Sequence, residues 1–179
     1  MVEELDRSIE REKGDMKKYI AWLVTAAVYI TGSWMVLGKL YGLLFTALWN
    51  KEIDYLADVI KVMLTTVTYV PNQDTHDYKN DVTNEVVGTG YTATGETLGS
   101  KTVTYTAGTN KHVLDAADVT WSASTITARI AVIYDSTPAS DATRPLIGYQ
   151  DFEADKSSDN GDFTIQWDAA GLVEITITA

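Results

Sequence analysis

The chain has 179 residues and a formal net charge of −11, and it contains no cysteine. This length allows one ordinary domain with an extension, and the lack of cysteine excludes disulfides, thiolate metal sites and cysteine nucleophiles. Nucleic-acid binding by phosphate neutralisation needs clustered Lys and Arg, so the acidic balance excludes nucleic acid as a partner.

Residues 1–37 combine a charged start with an uncharged apolar run from Tyr19 to Leu37. As a helix this run would span ~28 Å, close to the hydrocarbon thickness of a bilayer. Trp22 and Trp34 lie near its two ends, where interfacial aromatic residues are common. One interpretation is therefore a membrane-inserted helix. Another is a signal peptide starting at Met16, although no clean small-x-small cleavage site follows.

A third interpretation is an oligomerising helix, because apolar residues recur every seven positions along the N-terminal region. Such a heptad spacing is typical of helices that associate with one another. The positions that share it are Val2, Ile9, Met16, Leu23, Ile30, Leu37 and Leu44. We predict Leu23, Ile30, Leu37 and Leu44 as oligomerisation or anchoring residues, and the three interpretations stay open at this point.

A shorter helix is predicted over residues 40–50, where apolar residues follow one another at spacings of three and four. That spacing places them on one face, and we interpret the face as core rather than as a ligand site. Its members are Leu40, Leu43, Leu44, Ala47 and Leu48.

Beyond this helix the chain is rich in Thr and Val and alternates in short segments, which predicts antiparallel strands. Residues 59–66 are almost uncharged and predict an interior strand, and residues 69–91 predict a long loop with a helical turn. Further strands are predicted at 97–106, 111–115, 125–134, 145–152, 162–167 and 172–178, with a hairpin at Asn160-Gly161. In the strand 125–134, alternation predicts one shared face for Ile126, Ala128, Ile130, Val132 and Tyr134.

About seven strands at this spacing suggest a sandwich or a partly closed barrel. The predicted fold class is α+β, with an apolar helical segment at residues 1–37 followed by a mainly antiparallel β domain at residues 38–179. The aromatic part of the predicted core is Trp121, Tyr134, Phe152, Phe163 and Trp167.

Three clusters in the β domain were weighed as sites and interpreted as structural. His76 lies among Asp74 and Asp77, but no nucleophile or metal motif accompanies it, and such loops usually form Asx turns. Asp155, Ser157, Asp159, Asn160 and Asp162 loosely resemble a Ca²⁺ loop that lacks its bidentate Glu. Asp115, Asp118 and Trp121 would suit a sugar only if Trp121 were exposed. We therefore predict no catalytic residue, no metal site and no cofactor.

Arg129 lies in the middle of the strand 125–134, between two apolar residues. We predict that its side chain points outward or pairs with a carboxylate. Arg144 is one of the few other basic residues of the β domain, and neither arginine forms a phosphate cradle with its neighbours.

The β domain also resembles a family of small structural proteins of tailed bacteriophages, described as head decoration, head fibre or minor tail proteins. The segments that carry the resemblance are residues 60–66, 69–78, 81–86, 88–92, 114–121, 125–128, 145–148 and 161–171, in this order. The resemblance covers about residues 38–179, and residues 1–37 depart from the pattern.

The resemblance implies a non-enzymatic virion protein, expected on the outer surface of the head and docked on the major capsid protein. We expect self-association, with a trimer through the N-terminal segment as the favoured form. The alternatives are a tail or neck subunit of the virion and a membrane-anchored β display module that inserts residues 19–37. The capsid-contacting residues are not identified by the sequence.

Overall fold

The computed structural model describes residues 39–177. Eight strands and one short α-helix, together with two 3-10 turns at Lys79–Asp81 and Asp141–Thr143, make up its regular structure. In chain order the elements are β1 Lys39–Leu40, α1 Leu44–Trp49, β2 Ile60–Thr65, β3 Glu96–Thr97, β4 Thr102–Thr106, β5 Lys111–Asp115, β6 Val119–Asp135, β7 Leu146–Ile165 and β8 Val173–Thr176.

The strands form two sheets in which every pairing between named strands is antiparallel. The larger sheet has the order β1-β7-β6-β2-β3, and the smaller one has the order β4-β5-β8. The mostly antiparallel β architecture is confirmed, and two sheets of this kind are consistent with a sandwich. The predicted apolar helix at residues 1–37 lies outside the described residues.

Strand β2 is an interior strand, as its almost uncharged sequence predicts. It pairs with β6 on one side and with β3 on the other. Five of its six residues are buried, and Lys61 is half-buried. A strand covered on both faces has no polar face to alternate with the apolar one, which explains its nearly continuous apolar run.

Strands β6 and β7 form a long ribbon that the sequence predicted as shorter pieces. The hairpin predicted at Asn160-Gly161 is wrong, because both residues lie within β7 and Gly161 pairs with Ser124. The next pair is Ile126 with Ser158, so β7 carries one extra residue at this point. Asn160 has a positive φ of 47° and accommodates this β-bulge. The sequence Asn160-Gly161, which is typical of hairpin turns, thus forms a bulge inside a strand.

A second irregularity, between the pairs of Ala128 and Ile130, switches the faces of β6. Ile126 and Ala128 pack in the main hydrophobic cluster, whereas Ile130 packs in a second cluster with Val132 and Tyr134. The prediction that all five alternating residues share one face is therefore wrong. A strand changes its buried face when the register shifts by one residue, and alternation alone does not reveal where that shift occurs.

The predicted aromatic core is largely confirmed. Trp121, Tyr134, Phe163 and Trp167 are buried, and Phe152 is half-buried against the main cluster. Trp167 also donates its indole N–H to the carbonyl oxygen of Ala117 at 3.0 Å. A buried Trp usually has such a partner for its one polar atom, although the indole N–H of Trp121 has none within the described residues.

The helix predicted over residues 40–50 is shorter at its start. Lys39 and Leu40 are paired with Tyr149 and Gly148 of β7, and α1 begins only at Leu44. The side-chain amide of Gln73 holds this first strand by donating to the Leu40 carbonyl oxygen at 2.8 Å. A long-range sheet contact has replaced the first helical turn that the local spacing predicted.

Candidate docking surface

Helix α1 buries one side and presents apolar side chains on the other. Leu44 and Ala47 point into the core. Leu43 is 42 % exposed, Phe45 38 % and Trp49 82 %. Phe45 and Trp49 are four residues apart and therefore lie on the same side of the helix. We call Phe45 and Trp49 the α1 outer face, and an exposed Trp is a residue type that often anchors a protein interface.

A cleft of ≈ 190 Å³ with mixed polar and apolar lining lies along another side of α1, next to Leu43 and Ala47. The side chains that line it beside Leu43 include Thr46, Asn50, Glu52, Asp77 and Tyr78. Tyr78 reaches across and donates its hydroxyl proton to Glu52 Oε2 at 3.4 Å. Apolar anchors bordered by groups that can hydrogen-bond are the usual anatomy of a protein–protein interface.

A buried row of aromatic side chains in the second hydrophobic cluster fixes the start of the described chain to the sheet. The hydroxyls of Tyr41 and Tyr69 lie 2.8 Å apart, and the Tyr69 hydroxyl lies 3.0 Å from His76 Nδ1. The rings of Tyr41 and Tyr149 have their centroids 5.2 Å apart. Tyr41, which precedes α1 in the chain, is thus fixed by its contacts with Tyr69 and Tyr149. These contacts give the start of α1 a defined position.

Burial keeps these tyrosines neutral. It raises the pKa of Tyr69 to about 12, and the pKa of Tyr41 is raised further by burial and by its proximity to Tyr69. Neither hydroxyl ionises under ordinary conditions, so both act as neutral hydrogen-bonding groups. Their role in this arrangement is structural.

The loop around His76 forms turns, as predicted. Asn72 Oδ1 accepts the backbone N–H groups of Asp74 and Thr75, which is an Asx turn. Asp81 Oδ2 accepts the N–H groups of Asp77 and Tyr78. Burial would raise the pKa of Asp81, but these hydrogen bonds outweigh it and lower the pKa. The carboxylate is therefore held ionised in a structural role.

The residues that loosely resemble a Ca²⁺ loop all lie within β7. They are Asp155, Ser157, Asp159, Asn160 and Asp162. Ser157 pairs with the Thr127 hydroxyl at 2.8 Å, and Ser158 pairs with the Ser124 hydroxyl at 2.7 Å. These oxygens are used to tie β7 to β6. Within residues 39–177, no group of three or more His, Asp or Glu side chains is placed to hold a metal ion.

The three residues weighed for sugar stacking serve the core instead. Trp121 is only 2 % exposed, so its ring is not available to a sugar in this fold. Asp118 accepts the backbone N–H of Trp167 at 3.0 Å, and Asp115 accepts that of Ala116 at 2.9 Å. The prediction that Trp121 is a core residue is confirmed.

Both arginines pair with carboxylates, as predicted for Arg129. Arg129 forms an ion pair with Asp151 of β7, and its hydrogen bond lowers the pKa of that carboxyl. Arg144 Nη1 lies 2.6 Å from Asp141 Oδ1. Lys79 Nζ lies 2.8 Å from the other oxygen of Asp141, so this one carboxylate joins two cations.

Of the predicted oligomerisation or anchoring residues, Leu44 lies in the described part of the chain. Leu23, Ile30 and Leu37 lie outside the described residues. Leu44 is 4 % exposed and packs in the main hydrophobic cluster, so its side chain does not line a subunit interface. The heptad pattern also cannot reach Leu44 as one unbroken helix, because Lys39–Leu40 is a strand. The assignment of Leu44 to oligomerisation is corrected on both counts.

The sequence reasoning missed Phe45 and Trp49 as surface residues. The signal was present, because a face formed by Leu40, Leu44 and Leu48 leaves positions 45 and 49 on the other side. Two large aromatic side chains on the solvent side of a short helix mark an interaction site more clearly than its apolar inner face does.

No helix within residues 39–177 is long and apolar enough to cross a membrane. The predicted insertion of residues 19–37 lies outside the described part of the chain. Comparison of the chain with family models, with curated proteins and with solved structures gave no match.

Proposed function

We propose that this chain is a non-enzymatic structural protein of a tailed-phage particle, bound to the outer surface of the head through the major capsid protein. The α1 outer face is the observation that carries the proposal. It presents the large aromatic side chain of Trp49 at 82 % exposure, on a helix that follows the buried, hydrogen-bonded Tyr41. The sequence resemblance over residues 38–179 supplies the particle in which such a surface would dock.

The mechanism is adhesion by shape and by apolar burial. Trp49 and Phe45 would fill a depression on the capsid surface, and Glu52 and Tyr78 would form hydrogen bonds at the rim. Because a capsid presents the same site many times, modest affinity at each site gives high occupancy of a particle. The net charge of −11 favours the solubility of unbound protein.

Self-association into a trimer through residues 1–37 is part of the proposal, with Leu23, Ile30 and Leu37 as its apolar residues. A trimer in water would cover the apolar run. A requirement for detergent during purification of the full chain would instead support the membrane-anchored alternative.

Co-sedimentation of the full chain with empty capsids of the phage that encodes it tests the proposal. We expect saturable binding at a multiple of the capsid lattice, weakened by at least about tenfold in Trp49→Glu, since a central Trp is a typical hot spot. Val87→Glu is the matched control, because Val87 is 96 % exposed and lies outside the α1 outer face.

Absence of binding would overturn the head-decoration proposal. Saturation at a ring-sized copy number on whole particles would point to the tail or neck alternative. Equal weakening by Trp49→Glu and Val87→Glu would leave decoration standing but would remove α1 as its docking element.

A further inference from the structure

Strand β4 is an edge strand that is open on both of its faces. It pairs with β5 along its whole length, from Thr102 opposite Asp115 to Thr106 opposite Lys111. Its other edge has no partner strand among residues 39–177. All five residues are exposed, with Val103 at 44 % and Tyr105 at 51 %. The strand therefore offers a row of backbone N–H and C=O groups to another chain.

The sequence of β4 lacks the features that normally protect such an edge. Proteins usually block exposed edges with Lys, Pro, inward-pointing charges or β-bulges. The strand reads Thr-Val-Thr-Tyr-Thr, with no charge and no proline, and its register with β5 is uninterrupted. By contrast, β8 at the opposite edge of the same sheet carries Glu174, which is paired with Lys111.

The strand is also complementary to itself. In an antiparallel pair of two β4 strands centred on Thr104, Thr102 would oppose Thr106 and Val103 would oppose Tyr105. Thr–Thr pairs and pairs of an aromatic with a β-branched residue are among the favourable cross-strand combinations. This is the one two-fold register that pairs all five residues, and it places Val and Tyr on one face and Thr on the other.

We propose that β4 pairs with β4 of a second copy of this chain across a two-fold axis at Thr104. The two three-stranded sheets then join into one sheet of six strands in the order β8-β5-β4-β4-β5-β8. In a chain of net charge −11, an uncharged strand is where two copies approach with the least repulsion. The pairing is independent of the proposed capsid docking, because β4 shares no residue with the α1 outer face.

Single-cysteine cross-linking tests the register, since the chain has no native cysteine. The full-length Thr104→Cys variant should form a disulfide-linked dimer on mild oxidation, because residue 104 faces its own copy. Thr102→Cys and Thr106→Cys should each stay monomeric alone. Their like residues would be ~13 Å apart, beyond the reach of a disulfide. A mixture of these two variants should cross-link to each other.

Either of two results would overturn the proposal. One is a Thr104→Cys variant that stays monomeric under conditions in which a model thiol oxidises. The other is equal cross-linking by all three single variants, which indicates random collision or association through residues 1–38. Unchanged thermal unfolding of each reduced variant shows that the fold is intact.

Sedimentation of the cysteine-free protein over a range of concentrations gives an independent test. We expect Thr104→Lys to weaken the dimer at least tenfold, because it places two like charges opposite each other on the axis. Ile177→Lys is the control, since Ile177 is 51 % exposed and follows β8. A dimer that Thr104→Lys leaves unchanged would contradict pairing through β4.

Discussion

The interior of the five-stranded sheet and strand β4 of the smaller sheet are both rich in β-branched residues, yet their environments are opposite. Residues Ile60–Thr65 of β2 are buried except for half-buried Lys61, whereas every residue of Thr102–Thr106 is exposed. The two strands also differ in their position within the sheets. Strand β2 has a paired strand on each side, whereas β4 has a paired strand on one side only. β-Branched residues therefore report strand conformation, and the surrounding layers decide burial.

The largest difference between the two regions is expected from truncating one apolar side chain in each. Ile133 of β6 is completely buried, and Ile133→Ala should lower the free energy of unfolding by about 2–5 kcal/mol. Val103→Ala in β4 should change it by less than ~0.5 kcal/mol, as exposed substitutions usually do. Urea unfolding at low protein concentration, where association is negligible, measures both. Similar losses of unfolding free energy in the two variants would contradict the difference in burial between β6 and β4.

A pair of glycines gives the next largest difference. Gly95 has a φ of +75°, and an added Cβ would collide with the backbone of Val62 in β2. Gly95→Ala should therefore cost about 2–3 kcal/mol, from strain in the left-handed region and from displacement of β2. Gly99 has open space around it, so Gly99→Ala should be nearly neutral. Thermal unfolding of the two variants compares them, and equal losses would show that β2 yields to the new methyl group.

Sequence alone predicted the parts of this fold that depend on local patterns. The almost uncharged run of β2, the strand at residues 111–115 and the turns of the loop around His76 all follow from neighbouring residues. The start of α1 at Leu44, four residues later than the local spacing predicted, did not follow from neighbouring residues. It depends on the pairing of Leu40 with Gly148, which is more than one hundred residues away. The same holds for the bulge at Asn160, whose turn-like sequence serves a strand of the ribbon.

The sequence predicts the two faces of the docking helix α1 but not the residues that surround them. The spacing of Leu44 and Ala47 predicted the buried side of α1, and the same spacing implied an outer side with Phe45 and Trp49. The cleft next to Leu43 depends on Tyr78, which arrives from a distant loop. A sequence pattern identifies the faces of a helix, but the neighbours of those faces come from the tertiary fold.

The smallest effect, and the one with an unusual sign, concerns the last residue of β6. Asp135 is completely buried, and its Oδ1 accepts the Thr137 N–H at 2.8 Å. Within the described residues its Oδ2 has no hydrogen-bond partner. Burial raises the pKa of Asp135, the Thr137 hydrogen bonds oppose this, and the neighbouring Asp58 raises it further. The charged carboxylate is thus disfavoured in the folded state.

The sign of the pH dependence follows from this raised pKa. Below the ordinary value of 3.8 the carboxyl is protonated in both the folded and the unfolded chain. As the pH rises, the unfolded chain loses its proton first, so the group's contribution to stability is lost until the folded carboxyl also ionises. Asn is neutral at every pH and has nearly the same shape. Asp135→Asn should therefore stabilise the protein near pH 7, by less than the two effects above, and have little effect near pH 3.

Asp151→Asn is the matched control, because it should shift stability in the opposite direction. Its ion pair with Arg129 lowers the pKa of Asp151, so this carboxylate stabilises the fold above the ordinary carboxyl pKa and loses that contribution as the pH falls. The substitution should cause a small loss near pH 7 that vanishes in acid. Urea unfolding at both pH values measures the pair. Destabilisation by Asp135→Asn near pH 7 would contradict this prediction. It would indicate that the folded protein stabilises the ionised carboxylate of Asp135 through its hydrogen bonds.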